Sequence, residues 1–288
     1  MKYLKLMRIR HWIKNLLVLL PLVCSGRIIE KNLLRTSCLG MVSFCFLSSV
    51  IYIINDIMDR NKDRLHPKKK NRPIASGAIS VSSAIKFAVI LFSISLIINF
   101  ICAKSTIIVW GIYAAYFIVN LLYSVAGMKK IPLIDVALLV AGFFIRVYYG
   151  AAIIYIPISG WLYLVIITGA FYLGFGKRRN ELQKLGTNTT RDVLSGYSID
   201  FLDKALTCSM TLSITFFSLW CMEKNAQIMQ NKNNYLLAVP VLMLIFFKYG
   251  LDLEGNSDGD PVDVILQDKL LMALGIVFVG MLLWFIYI

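Results

Sequence analysis

No polar stretch in this chain is long enough to form a soluble domain of its own. Apolar runs follow one another almost to residue 288, hydrophobic residues fill 58% of the positions, and mean hydropathy is +0.72. Those values lie outside the range of a soluble globular domain. The runs also lack the two-residue alternation of a membrane β-barrel, so helices must satisfy the backbone within the bilayer. The pattern predicts an all-α polytopic membrane protein, a single domain over residues 1–288. About nine spans are expected, each near the ~20 residues a bilayer requires: 15–26, 33–54, 84–103, 105–124, 132–154, 158–176, 205–222, 235–248 and 268–288. The first, interrupted by Pro21, and the eighth are short.

Other absences narrow the function. The six cysteines lie in or at the edge of expected spans, with no C-x-x-C pair or histidine beside them. They read as small buried hydrophobes. Histidine occurs twice, at His11 and His66, and neither has a ligand partner. No strand precedes Gly174 and Gly176, and G-x-x-x-x-G-K-[ST] is missing, which excludes a P-loop. No A-x-A-like site follows the first apolar run, so the basic N-terminus is not expected to be a cleaved signal.

Acids are scarce: 16 against 30 lysines and arginines, a net charge of +14. Nucleic acid is not the implied partner, because the excess is one-sided. With nine spans, 22 basic residues fall on the N-terminal side of the membrane and 6 on the other, leaving Lys86 and Arg146 within spans. This bias predicts a cytoplasmic N-terminus in the cell (inner) membrane, facing anionic headgroups and anionic substrates. Of the acids, only Glu30 and Glu223 fall on the outer side.

The scarce acids gather where the second run ends, in N-D-I-M-D-R-N-K-D over Asn55–Asp63. Asp56, Asp59 and Asp63, three and four residues apart, share one face of a helix that continues past Ile54. Three acids on one face repel each other. Mg²⁺ gives them a purpose, since it takes oxygen ligands and bridges one or two carboxylates to substrate phosphates. The other reading is a solvated helix end whose charge Arg60, Lys62 and Arg64 offset. The loop H-P-K-K-K-N-R-P-I-A-S-G (66–77) is expected to fold back over the acids as an anion clamp, with Arg72 its most restrained cation.

Three further clusters lie at the same membrane face. In Y-S-V-A-G-M-K-K-I-P-L-I-D (123–135), Gly127 allows a turn and Pro132 opens a helix. Lys129 and Lys130 are topology anchors or phosphate contacts, and Asp135 lies inside a span, where an acid is a functional candidate. Arg146, about 16 Å further along at 1.5 Å per residue, reads as a packing group. In G-F-G-K-R-R-N-E-L (174–182), Lys177, Arg178 and Arg179 form a cationic patch, a membrane anchor or a phosphate site. In R-I-R-H-W-I-K-N (8–15), Trp12 suits an interface, and Lys14 and Asn15 either anchor the chain or meet a lipid phosphate.

At these residues the chain resembles the UbiA-type intramembrane prenyltransferase superfamily. The first signature is N-D-x-x-D-x-x-x-D followed by R-P-I-A-S-G (72–77). W-I-K-N (12–15), Y-S…K-K-I-P-L-I-D-V (123–136), G-F-F-I-R-V-Y-Y-G (142–150), G-K-R-R-N-E-L (176–182) and the polar stretch 248–268 are similar to the polyprenyl-phosphate phosphoribosyltransferases, the decaprenyl-phosphate enzymes among them. The resemblance implies a UbiA-like bundle with a cytoplasm-facing active site. It implies Mg²⁺-dependent transfer of 5-phosphoribose from phosphoribosyl diphosphate to a polyprenyl phosphate, with release of pyrophosphate. Asp56 and Asp59, with Asn55 and Asp63, would hold the metal. Arg64, Arg72, Lys129, Lys130, Lys177 and Arg178 would supply countercharge, Lys14 and Asn15 would position the lipid phosphate, and Tyr123 and Asp135 would line the second element. A homo-oligomer is compatible with all of this. Asp135 departs from the paired acids of the aromatic prenyltransferases, having no acid three or four residues away. Prenyl transfer from a prenyl diphosphate and membrane transport are the alternatives.

Overall fold

The computed structural model describes residues 2–65, 69–103, 106–185, 192–227, 234–254 and 261–288. His66 and stretch 255–260 of the tail motif lie outside them, as do Lys68, Lys104, Arg191 and Lys232 of the charge map.

Every regular element among the described residues is helical. Short α1 (Lys2–Met7) leads into a 3₁₀ helix, Ile9–Leu19, and α2 (Leu20–Cys24). Then come α3 (Lys31–Met58), α4 (Arg60–Leu65), α5 (Val81–Ala103), α6 (Ile107–Ser124), α7 (Ile134–Ile154), α8 (Gly160–Leu185), α9 (Ile199–Gln227), α10 (Ala238–Glu254), α11 (Pro261–Gln267) and α12 (Lys269–Tyr287). Among the described residues, eight helices are long and apolar enough to cross a membrane. The expected span at 15–26 is not one of them, yet the chain makes that traverse. Arg8 pairs with Asp56 at the C-terminal end of α3, and the chain re-enters at Lys31, its N-terminal end. Between them, Ser49 donates to the Met7 carbonyl (2.9 Å), Trp12 Nε1–H donates to Ser49 (3.0 Å), and Asn15 contacts Cys45 (3.4 Å), so the segment runs antiparallel to α3. At ~2.0 Å per 3₁₀ residue and ~1.5 Å per α residue, Ile9–Cys24 covers about 30 Å. Stretched geometry lets 16 residues cross where an α-helix needs more. Pro21 sits in the first turn of α2, where its missing N–H costs nothing.

The contacts fall into two compact units, Met1–Met128 with Ile145–Pro157, and Lys129–Phe144 with Ile158–Ile288. In the first, Phe44 packs on Tyr113, Tyr116 and Tyr149, with Val18, Leu22 and Leu47 filling the same core. A Cβ at Gly150 would lie 2.1 Å from the Val18 carbonyl oxygen, so the 3₁₀ segment seats only against a bare backbone. Gly150→Ala is expected to destabilise by about 1–3 kcal/mol, the cost of overpacking. Thermal unfolding in detergent checks this, with Gly111→Ala, where a Cβ meets nothing within 4 Å, as the control that holds its melting temperature. In the second unit, Val136, Phe175, Val193, Leu194 and Leu202 form one core, and Tyr172, Tyr249, Leu253 and Leu271 form another.

Candidate active site

The acids of α3 and α4 meet in the first unit. The helix runs on past Ile54 to Met58 and breaks at Asp59 (φ −88°, ψ 1°), whose N–H still bonds the Asn55 carbonyl at 2.9 Å. One turn on, the Asp63 N–H bonds the Asp59 carbonyl at 2.9 Å, so the three-and-four spacing survives the break. Asp56 and Asp63 are buried, while Asn55 and Asp59 are half-buried. A lone buried carboxylate costs several kcal/mol, so these must be compensated. Arg72 does so for both: its Nη1 lies 2.7 Å from Asp63 Oδ2 and 3.2 Å from Asp56 Oδ1.

The loop that carries Arg72 folds back over the acids for a packing reason. Ile74 and Ile79 are buried beside Leu6, Val50, Ile53 and Ala84. Gly77 takes φ +77°, which a side chain would resist, and the Ile79 N–H returns to the Pro73 carbonyl at 3.0 Å. Arg64 Nε–H ties the loop to α4 through the Ala75 carbonyl (3.1 Å).

Arg8, to which no helical spacing points, also pairs with Asp56. Its guanidinium lies over the Tyr52 ring, 5.1 Å from the centroid, and its backbone is left-handed (φ 51°, ψ 52°). A non-glycine residue persists there only when its surroundings over-determine it, and the ion pair and the stacked ring do so. Basic R-I-R before Trp12 was the available signal, but nothing local in it points to residue 56.

The second cluster is internal to the second unit. Asp135, fully buried at the start of α7, accepts from Arg178 Nε (2.5 Å) and from the Tyr197 hydroxyl (2.6 Å). Arg178, 1% exposed, also donates through Nη1 to Glu181 at 2.6 Å. Tyr197 in turn accepts the Leu133 N–H at 2.6 Å, and Leu133 is another left-handed residue (φ 67°). Burial first, and then the bond to Asp135, push the Tyr197 phenol well above its usual range, so it stays a donor at neutral pH.

The remaining candidates are more scattered. Tyr123, Lys14, Lys129 and Lys177 are half-buried, and Lys130 is exposed. Asn15 is fully buried and accepts from Arg146 Nε (2.8 Å) and Ser48 (3.3 Å), while Arg146 Nη2 donates to Tyr116 (2.6 Å). Arg146 is thus the packing group its depth suggested, and Asn15 is its partner.

The donors around Asp56 are hard oxygens, the chemistry Mg²⁺ requires. Among the described residues, however, no three His, Cys, Asp or Glu side chains converge on one point. Asp56 and Asp63 face arginines rather than each other's free oxygens. The residues therefore fit Mg²⁺ held by one or two carboxylates and completed by substrate phosphates, and do not form a closed protein cage.

Comparison with known proteins places this geometry. Residues 22–250 match the profile described as the UbiA prenyltransferase family. A decaprenyl-phosphate phosphoribosyltransferase of Mycolicibacterium smegmatis is 32% identical, covering 96% of this chain and 90% of that protein. One of Corynebacterium glutamicum is 30% identical over 99% and 86%. A solved UbiA homolog from Archaeoglobus fulgidus bound to GPP and Mg²⁺ superposes with a TM-score of 0.71 at 20% identity, over 99% of both chains. The chain belongs to the UbiA prenyltransferase family and is an integral-membrane transferase.

Proposed function

We propose that the chain transfers 5-phosphoribose from phosphoribosyl diphosphate to a polyprenyl phosphate and releases pyrophosphate. The observation that carries the reading is the full-length likeness to two decaprenyl-phosphate phosphoribosyltransferases. The geometry agrees in kind: buried carboxylates that offer hard oxygens stand beside guanidiniums that suit a phosphate, in one cluster.

In the transfer, the bond from the anomeric carbon to the diphosphate oxygen breaks, and an oxygen of the lipid phosphate bonds that carbon. The nucleophile is already an anion at neutral pH, so no side chain has to remove a proton. Asp56 and Asp59, with Asn55 and Asp63, hold the metal. Mg²⁺, when bound, acts as a Lewis acid and template for the departing diphosphate. Arg72, held by the buried Pro73-Ile74-Ala75 segment, and Arg64 offset the charge that builds on the leaving group. Arg8, which pairs with the same Asp56 oxygen as Arg72, shares that task. Lys14 and Tyr123 of the first unit, and Lys129, Lys130 and Lys177 of the second, are assigned to the substrate phosphates, the lysines as countercharge. Asn15, Asp135 and Arg178 act as positioning residues through the buried bonds they make. The active site faces the cytoplasm of the cell membrane, as the basic bias implies.

The second reading, prenyl transfer from a prenyl diphosphate, draws on the solved homolog bound to GPP and Mg²⁺. The buried state of Asp135 weighs against it. Both of its oxygens are taken by Arg178 and Tyr197, and no second acid within four residues can help it hold another metal. Pyrophosphate release from the purified protein tests the proposal. Release is expected only when phosphoribosyl diphosphate, a polyprenyl phosphate and Mg²⁺ are all present, and EDTA abolishes it. Release that ignores the lipid phosphate would contradict the reading.

A further inference from the structure

The second unit contains a cavity of about 470 Å³ between α8, α9 and α10, none of whose lining residues is assigned to the transfer reaction. That volume lies within the range of small-molecule sites. The three helices reach it with their polar ends. Arg179 lies near the C-terminal end of α8, Asp203 one turn into α9, and Glu254 ends α10. Deeper along the same helices the lining turns apolar, through Leu206, Met210 and Phe246. The walls are fixed: Tyr172 of α8 donates to the Phe246 carbonyl at 2.8 Å, and Asn180 of α8 donates to the Leu253 carbonyl at 2.9 Å. A polar mouth above an apolar shaft suits an amphiphile lying along the bundle surface, with its headgroup at the membrane boundary.

The charges at the mouth select the headgroup. Arg179, 14% exposed, pairs with Asp203 and lies 3.6 Å from Glu254, and those carboxylates are 47% and 64% exposed. One guanidinium against two carboxylates leaves the mouth net negative, in a chain whose overall charge is +14. A purely anionic lipid is repelled there. A headgroup with both a phosphate and a primary ammonium meets complementary charge: its phosphate takes a bidentate place on Arg179. The loose Arg179–Glu254 contact opens, and the ammonium donates to Asp203 and Glu254. A quaternary ammonium has no N–H to donate and seeks aromatic faces instead. The geometry points to a structural lipid site on the α8–α9–α10 face that takes a phosphatidylethanolamine-type phospholipid.

Native mass spectrometry of the detergent-purified protein tests this, with phosphatidylethanolamine, phosphatidylglycerol and phosphatidylcholine of identical chains added in turn. The ethanolamine lipid is expected to be retained over the glycerol lipid. The double variant Asp203→Asn/Glu254→Gln keeps the shape and should cut that preference on the order of tenfold, the effect of losing one hydrogen bond between charged groups. The Asp203 and Glu254 side chains are 47% and 64% exposed, so water takes the place of their charges and the variant is expected to melt with the wild type. Arg179→Gln should lower retention of both lipids. Equal retention of all three lipids, a preference for phosphatidylglycerol, or an unchanged preference in the double variant would each overturn the proposal. So would displacement of the bound lipid by a polyprenyl phosphate, which would make the cavity the acceptor groove. The proposal stands apart from the transfer reaction, since none of these residues is assigned to it.

Discussion

Asp56→Asn is expected to lower kcat/KM for transfer at least about 100-fold, the scale set by removing one preorganised electrostatic group from a reacting centre. The substitution changes charge and almost nothing else. The amide fills the same buried place at the end of α3 and still accepts hydrogen bonds from Arg8 and Arg72. It no longer neutralises them and no longer offers a metal an anionic oxygen. Arg8 and Arg72 are each about a quarter exposed, so water reaches both guanidiniums and the fold survives. Asp59→Asn should match it in activity and cost less stability, because Asp59 is only half-buried. Kinetics of the two variants, with melting temperature as the folding control, check this. Near-normal turnover in a folded Asp56→Asn protein would remove the metal assignment.

The largest expected loss of stability is at the other acid. Asp135→Leu leaves the guanidinium of Arg178, 1% exposed, without its buried Asp135 carboxylate and with a leucine in its place. Breaking a buried pair from one side costs about 3–5 kcal/mol, whereas replacing both members by apolar groups of similar volume is often neutral. The double variant Asp135→Leu/Arg178→Met should therefore recover most of the loss, and thermal unfolding of the three proteins measures it. Transfer by the double variant then separates two roles. Recovered stability with transfer intact assigns the pair to scaffolding, and recovered stability with lost transfer assigns it to holding the site.

Some of this was legible in the sequence because it is local. Asp56, Asp59 and Asp63 repeat at helical spacing, and the buried apolar pair Ile74 and Ile79 brings Arg72 back over them within nine residues of Asp63. Of the roughly nine expected spans, eight appear among the described residues as helices of sufficient length and apolarity. The ninth was legible as apolar but not as 3₁₀, since 3₁₀ runs longer than three or four residues are uncommon and Pro21 looks like an interruption. What escaped depends on long-range partners. Arg8 finds Asp56 48 residues away, Asn15 finds Arg146 131 residues away, and Tyr197 finds Asp135 62 residues away. No periodicity carries such pairings. From its place beside Lys14, Asn15 reads as an anchor or a lipid-phosphate contact, whereas the fold buries it within the first unit against Arg146.

The most direct test offers one purified preparation two substrate pairs with Mg²⁺: labelled phosphoribosyl diphosphate with a polyprenyl phosphate, and a labelled prenyl diphosphate with aromatic acceptors. The account predicts label in the lipid phase from the first pair alone, lost with EDTA and in Asp56→Asn. Product from the second pair alone would contradict it, keeping the fold and the acid cluster but replacing the substrates.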